Sequence, residues 1–134
     1  MISFLICALN EEDNIEDTYK TIIDSLQSAK INSYQIVIIN DGSSDLTEEK
    51  IKKIVNNDNN VMFETNNVNL GYGNSLIRGL KLINNEKFMI VPGDNDLSKS
   101  TILSGLKNLK QADMVMMFPI NTDNRNKTRN IVSI

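Results

Sequence analysis

The chain contains no histidine and a single cysteine, Cys7. Without histidine, serine–histidine and cysteine–histidine nucleophile pairs are excluded, and so is histidine-ligated zinc. One cysteine rules out an intrachain disulfide framework. Lying in an apolar stretch, Cys7 reads as a buried, inert thiol. No run approaches the roughly 18 apolar residues that a membrane-spanning helix needs. The apolar start Met1-Ile2-Ser3-Phe4-Leu5-Ile6-Cys7-Ala8-Leu9 is short, lacks a basic leader and runs into acids, so it reads as a strand and not a signal peptide. Positive charge is also scarce. Residues 1–120 hold 11 Lys and Arg against 16 Asp and Glu, and only residues 121–134 are basic, through Arg125, Lys127 and Arg129 against Asp123. An acidic body of this kind argues against nucleic acid as a partner.

What remains is a globular composition. The 134 residues are 40% hydrophobic and 23% charged, enough for one domain with a core and too few for two. Strand-like runs fall at residues 2–6, 36–39, 61–63, 88–91 and 114–118. Between them, Ile15, Tyr19, Ile22, Ile23 and Leu26 recur at helical spacing and predict a helix over about 13–29. Leu46, Ile51, Ile54 and Val55 mark a second helix, opened by an Asp45/Glu48 capping pattern. Leu76, Leu80 and Ile83 mark a third, and Ile102, Leu103, Leu106 and Leu109 a fourth. The alternation predicts an α/β fold, a mostly parallel sheet flanked by helices on both faces. One domain covers residues 1–120, and residues 121–134 open a basic amphipathic segment.

Ligands of such sheets bind beyond the carboxyl ends of the strands. Val91-Pro92-Gly93-Asp94-Asn95-Asp96 puts two carboxylates there, directly after an apolar strand. The sequence is good turn chemistry, and Asp96 would serve as a helix cap. Paired acids at a strand end also suit Mg²⁺, which takes one or two carboxylates and completes its shell with phosphate and water. Asp41-Gly42-Ser43-Ser44-Asp45 follows another strand; a turn and cap explain it, and so does Asp41 accepting from a base ring N–H. Asn10 and Glu11 follow the first strand, where a helix start competes with ribose hydrogen bonding. Asn69-Leu70-Gly71-Tyr72-Gly73 lacks the third glycine of a dinucleotide fingerprint, but lets backbone approach a ligand. Arg78 is placed on a helix, facing either solvent or phosphate. Asn10 and Glu11, Asp41, the Asn69 loop and Asp94 and Asp96 all fall on one edge, and that convergence points to an enzyme handling a nucleoside diphosphate.

Taken together, Ile6-Cys7-Ala8-Leu9-Asn10-Glu11-Glu12, Val37-Ile38-Ile39-Asn40-Asp41-Gly42-Ser43-Ser44-Asp45, the Asn69 loop and Asp94-Asn95-Asp96 resemble the inverting family-2 glycosyltransferases of GT-A fold. Within them the likeness is greatest to the branch of dolichyl-phosphate mannose synthase and polyprenyl-phosphate sugar transferases. The resemblance implies a UDP- or GDP-sugar donor, and a polyprenyl-phosphate lipid or a saccharide as acceptor. It gives Ala8, Leu9, Asn10, Glu11, Asp41, Gly42, Asn69, Gly71 and Asn95 to the nucleotide. Asp94 and Asp96 become the catalytic pair, holding Mg²⁺ or Mn²⁺ against the diphosphate. Arg78, Arg125 and Arg129 are the weaker phosphate candidates. Three departures stand out: Cys7 and Leu9 replace the usual proline and aromatic, Ser98 stands where glutamine is common, and Phe118-Pro119-Ile120 replaces Gly-Ser-Arg.

Domains of that kind continue further, so the chain is expected to be a fragment holding the donor half, without the acceptor half and without an evident general base. The expected location is the cytoplasm, at the inner face of a membrane reached only through the missing part. The apolar end Ile131-Val132-Ser133-Ile134 is a candidate homodimer contact. Two rivals remain: a catalytically incomplete nucleotide-binding module, and a sugar-phosphate nucleotidyltransferase. The second would want a glycine-rich basic loop where Asn10-Glu11-Glu12-Asp13 is acidic.

Overall fold

Seven consecutive buried residues, Ile2–Ala8, form strand β1. Burial on both faces is what a central parallel strand requires. Then follow α1 (Ile15–Ser28), β2 (Tyr34–Asn40), α2 (Thr47–Asn57), β3 (Val61–Thr65), α3 (Tyr72–Leu80), β4 (Phe88–Pro92) and α4 (Lys99–Asn108). The computed structural model describes residues 1–109, 111 and 115. The expected strand at 114–118 and the basic segment at 121–134 therefore lie outside the described residues.

All pairings in the four-stranded sheet are parallel, in the order β3-β2-β1-β4. Alternation along β1 divides the core. Phe4, Ile6 and Ala8 join Ile36, Ile38, Met89 and Val91 under α1, α2 and α4, which contribute Ile15, Ile22, Ile51 and Ile102. Leu5 and Cys7 join Val37 and Ile39 on the other face, where Leu76 of α3 packs. Phe4, Leu5 and Ile6 are wholly buried. Each contributes roughly 1.5–3 kcal/mol of transfer free energy. Helix α3 lies close to the sheet because Gly79 has no side chain. A Cβ there would collide with Leu5 Cδ1 and sit 3.1 Å from Ile39 Cγ1.

Two helix boundaries differ from the sequence reading. Asp45 and Glu48 form no capping box; Leu46 is the N-cap of α2, and Glu48 pairs with Lys52 at 2.6 Å. An i,i+4 partner for Glu48 outcompetes the backward reach that a box needs. Ile83 lies beyond α3, which ends at Leu80, yet still packs on the second core cluster. Its helical spacing reflected a shared apolar face continued into the following turn.

The chain leaves β1 for β2 and β3, then crosses back to β4 on the other side of β1. The strand order thus reverses between β1 and β4, the topological switch at which open α/β sheets bind ligands. At the opposite end of the sheet, Asp58 accepts from the hydroxyls of Tyr19 (2.9 Å) and Tyr34 (2.7 Å), tying α1 and β2 to the end of α2.

Candidate functional site

Four strand-to-helix connections meet at the carboxyl edge. The first two are fastened together. Asn10 N–H donates to Ser43 Oγ (2.9 Å), Ser44 N–H to Asn10 Oδ1 (2.9 Å), and Glu11 N–H to Thr47 Oγ1 (2.8 Å). Glu12 N–H donates to Asp45 Oδ2 (3.1 Å), and Leu46 N–H to Glu12 Oε2 (2.9 Å). Asn10 adopts φ 54° to reach across, a left-handed conformation that asparagine tolerates better than most residues. Burial pushes the Asp45 carboxyl up, but the hydroxyl and N–H of Thr47 and the N–H of Glu12 outweigh it and hold the group below its ordinary value.

The third connection is built around Asp41, which is 3% exposed. Its N–H donates to Ala8 O at 2.8 Å. Its Oδ1 accepts from Asn66 Nδ2 (2.8 Å) and from Leu70 N–H (2.9 Å). Burial again pushes the carboxyl up, and donors from Asn66, Leu70, Ser75 and Gly71 bring it below the ordinary range. Gly42 follows at φ 71°, and a Cβ there would sit 2.5 Å from the Val68 carbonyl carbon. The β2–α2 loop and the β3–α3 loop thus touch backbone to backbone. Asn69 Oδ1 accepts from Gly71 N–H at 2.9 Å, which turns the chain into α3.

The fourth connection carries Asp94 and Asp96. Gly93 packs against the end of β1, where a Cβ would lie 3.1 Å from Ala8 Cβ. Thr18 of α1 donates to Gly93 O (2.9 Å), and Thr21 donates to Asn95 Oδ1 (3.1 Å). Asn95 takes φ 57°, and Asp96 N–H donates to Asp94 Oδ1 at 3.2 Å. The cap of α4 is Ser98, whose Oγ accepts from Thr101 N–H at 3.2 Å, so Asp96 is not needed in that role. Both acids stand at the rim, Asp94 half-buried and Asp96 exposed. Tyr72, the first residue of α3, shares this rim. Burial, then the charges of Cys7 and Asp94, raise its phenol above the ordinary value. Burial and the Asp41 charge push the Cys7 thiol up to about 11, consistent with an inert residue.

Among the described residues no three His, Cys, Asp or Glu side chains gather into a ready-made metal cage. Two neighbouring carboxylates at a rim fit a divalent cation that completes its shell with phosphate oxygens and water. Asp94 and Asp96 would hold it.

The structure gathers Ala8, Leu9, Asn10, Glu11, Asp41, Gly42, Asn69, Gly71, Asp94, Asn95 and Asp96 on this edge. Ala8 is buried and contributes its carbonyl; Leu9 is exposed. Arg78 stands apart. Its guanidinium donates through Nε to Glu64 and through Nη1 to Asn66. Arg125 and Arg129 lie outside the described residues. Sequence reasoning missed Thr18 and Asn66. Thr18 carried a signal, because it falls on the apolar stripe of α1 between Ile15 and Ile22. Asn66 carried none, sitting in a run of polar turn residues.

Fold and edge together define a parallel α/β domain with a pair of acids at its topological switch. The chain belongs to Glycosyl transferase family 2, whose profile matches residues 3–133. It is 33% identical over 127 residues to the poly-beta-1,6-N-acetyl-D-glucosamine synthase of Staphylococcus aureus strain MSSA476, covering 95% of this chain and 30% of that protein. An uncharacterized glycosyltransferase of Haemophilus influenzae is 30% identical over 115 residues, 86% of this chain and 34% of that one. The fold is similar to S. aureus TarS 1-349 in complex with UDP-GlcNAc, at TM-score 0.67 and 21% identity over 82% of this chain and 31% of that one. It is also similar to the mannosyltransferase PcManGT of Pyrobaculum calidifontis in complex with GDP-Man and Mn2+, at TM-score 0.67 and 16% identity over 79% of this chain and 31% of that one. The chain spans about a third of the length of these curated relatives. No described helix is long and apolar enough to cross a membrane.

Proposed function

We propose that this chain forms the donor-binding half of an inverting glycosyltransferase that takes its sugar from a UDP- or GDP-sugar. The observation that carries the proposal is the convergence of Asp41, Asp94 and Asp96 on the switch edge, held by the fastened loops around Asn10, Gly42 and Asn95. Leu9, Asn10, Glu11 and Gly42 line the nucleoside end, with Asp41 as the acid behind the base, and Asn69 and Gly71 shape the flanking loop. Asp94 and Asp96 form the diphosphate end and would hold a cation, which would supply Lewis-acid stabilisation of the departing nucleoside diphosphate. The acceptor attacks the anomeric carbon from the face opposite the diphosphate, which inverts the centre. Kinship with a polysaccharide synthase supports a saccharide acceptor and a role in cell-envelope polysaccharide. The alternative acceptor, a polyprenyl phosphate at the membrane inner face, is already ionised and needs no general base, whereas a sugar hydroxyl does. The acidic Asn10-Glu11-Glu12-Asp13 loop disfavours a nucleotidyltransferase.

Calorimetry of UDP, GDP and CDP with and without Mn²⁺, on this chain and on Asp96→Ala, tests the reading. Metal-dependent binding of one nucleotide, lost in the variant, is expected. A folded chain that binds none of the three defeats it. Binding without sugar transfer or donor hydrolysis identifies this chain as the catalytically incomplete module.

A further inference from the structure

Arg78 is the one arginine before residue 125, and its guanidinium is engaged behind the site. Nε donates to Glu64 Oε2 and Nη1 to Asn66 Oδ1. Asn66 is 1% exposed. Its backbone N–H donates to Asn40 O at 2.8 Å, at the carboxyl end of β2. Its Nδ2 donates to Asp41 Oδ1 and to Ser75 Oγ, both at 2.8 Å. The amide has two N–H donors and an acceptor oxygen, and every one is used.

This arrangement fixes which way the amide points. A flipped Asn66 would turn its oxygen toward the Asp41 carboxylate, and two buried acceptors would face each other without a proton between them. The guanidinium of Arg78 can only donate, so it demands the Asn66 oxygen and leaves the NH₂ for Asp41. Asp41 Oδ1 in turn holds Leu70 N–H, which sets the height of the β3–α3 loop.

We propose that Arg78 and Asn66 are positioning residues for Asp41, orienting the carboxylate behind the nucleoside and the Leu70 loop beside it, and that Arg78 does not grip phosphate. The proposal rests on the donor-site reading above. It reassigns the one described arginine and adds a residue, Asn66, to the site.

The test is calorimetric titration, with Mn²⁺, of the monophosphate and the diphosphate of the preferred base. The proteins are wild type, Arg78→Gln, Arg78→Lys, Asp41→Asn and the Arg78→Gln/Asp41→Asn double variant. The expected result is an equal loss for both ligands in Arg78→Gln, about tenfold, or 1.4 kcal/mol. That loss should vanish in the Asp41→Asn background, because residues acting through one another are not additive. Lysine should restore little, since it keeps the charge but not the planar fork that spans Glu64 and Asn66. Glu64→Gln, which weakens the anchor without emptying it, should give a smaller loss of the same pattern, and keeps the test open if Arg78→Gln unfolds. A larger loss for the diphosphate, additivity with Asp41→Asn and rescue by lysine would together establish a phosphate grip and overturn the proposal. Unchanged binding in a folded Arg78→Gln overturns it alone. Wild type that binds no nucleotide overturns the donor-site reading and the proposal with it.

Discussion

Replacing Gly42 with alanine tests whether the second and third loops touch as closely as the structure shows. Two costs combine. At φ 71° an alanine occupies the left-handed region, which costs an L-residue roughly 1–2 kcal/mol. Its Cβ would also lie 2.5 Å from Val68 C, 2.7 Å from Asn69 N and 2.9 Å from Val68 O. Ordinary carbon contacts fall near 3.5–4.0 Å, so the loop must retreat by about 1 Å. The obstructing atoms are backbone, so no rotamer change relieves them, and overpacking of this kind costs about 1–3 kcal/mol. A total near 3 kcal/mol lowers the melting temperature by roughly 10 °C for a domain of this size. Retreat of the loop also stretches the 2.9 Å bond from Leu70 N–H to Asp41 out of hydrogen-bonding range. Urea unfolding followed by circular dichroism gives the stability, and nucleotide titration gives the site. Gly73→Ala is the control, because no atom lies within 4 Å of its Cβ and it sits inside α3. Alanine there should stabilise by about 0.5–1 kcal/mol. If Gly42→Ala stays within about 1 kcal/mol of wild type while the control behaves, the loops are not locked together and the cost assigned to overpacking is wrong.

Gly79→Ala sets the helix preference of alanine against a collision with Leu5, which is wholly buried and has nowhere to swing. The collision should win, with a net destabilisation of about 1–2 kcal/mol in the same assay; a gain in stability would show that α3 can lift off the sheet freely. Asp41, Asp45 and Asp58 all have carboxyls held below their ordinary 3.8. The unfolded chain therefore binds more protons than the folded one in that range. The stability these groups give is full well above their ordinary 3.8 and is lost progressively as pH falls toward that value and through the lowered folded values. The urea midpoint should hold steady from neutral pH down to about pH 5 and then drop, and a flat profile into strong acid contradicts this. The Cys7 thiol, raised to about 11, should react with a disulfide reagent at pH 8 only after denaturant is added. Rapid labelling of the native protein would show that Cys7 is reached from solvent.

How legible all this was in the sequence depended on how local the governing physics is. Apolar periodicity is local, and Ile15, Ile22 and Leu26 of α1 or Ile36, Ile38 and Ile39 of β2 marked their elements directly. Elements ran longer than their apolar cores wherever polar residues continued the backbone, as at Glu64 and Thr65 of β3. Candidate site residues were legible because strand ends in a βα alternation must gather on one edge. Their partners were not. Nothing local says that Thr18 will reach Gly93, or that Asn66 will meet Asp41 and Arg78, since those bonds span 75, 25 and 12 positions. Arg78 shows the limit: residue type permitted a phosphate contact, but the register of α3 against β3 gave its fork to Glu64 and Asn66.

Those long-range bonds also tie the loops of the carboxyl edge to one another, which bears on the proposed donor site. A nucleoside diphosphate is a ligand of nearly constant span, so a site must hold its base end and its phosphate end at a matching distance. Here α1 links both. Its leading loop is fastened to the second loop through Glu11, Glu12, Thr47 and Asp45, and its first two turns hold the fourth loop through Thr18 and Thr21. Neither the second nor the fourth loop can shift without breaking hydrogen bonds to α1 or to the loop that leads into it. Asn10 and Asn95, both in left-handed conformations, stand where each loop meets that frame. Left-handed backbone costs free energy at a non-glycine residue. Two of the three non-glycine residues with positive φ among the described residues, Asn10 and Asn95, lie on the edge that carries Asp94 and Asp96, while the third, Lys30, follows α1.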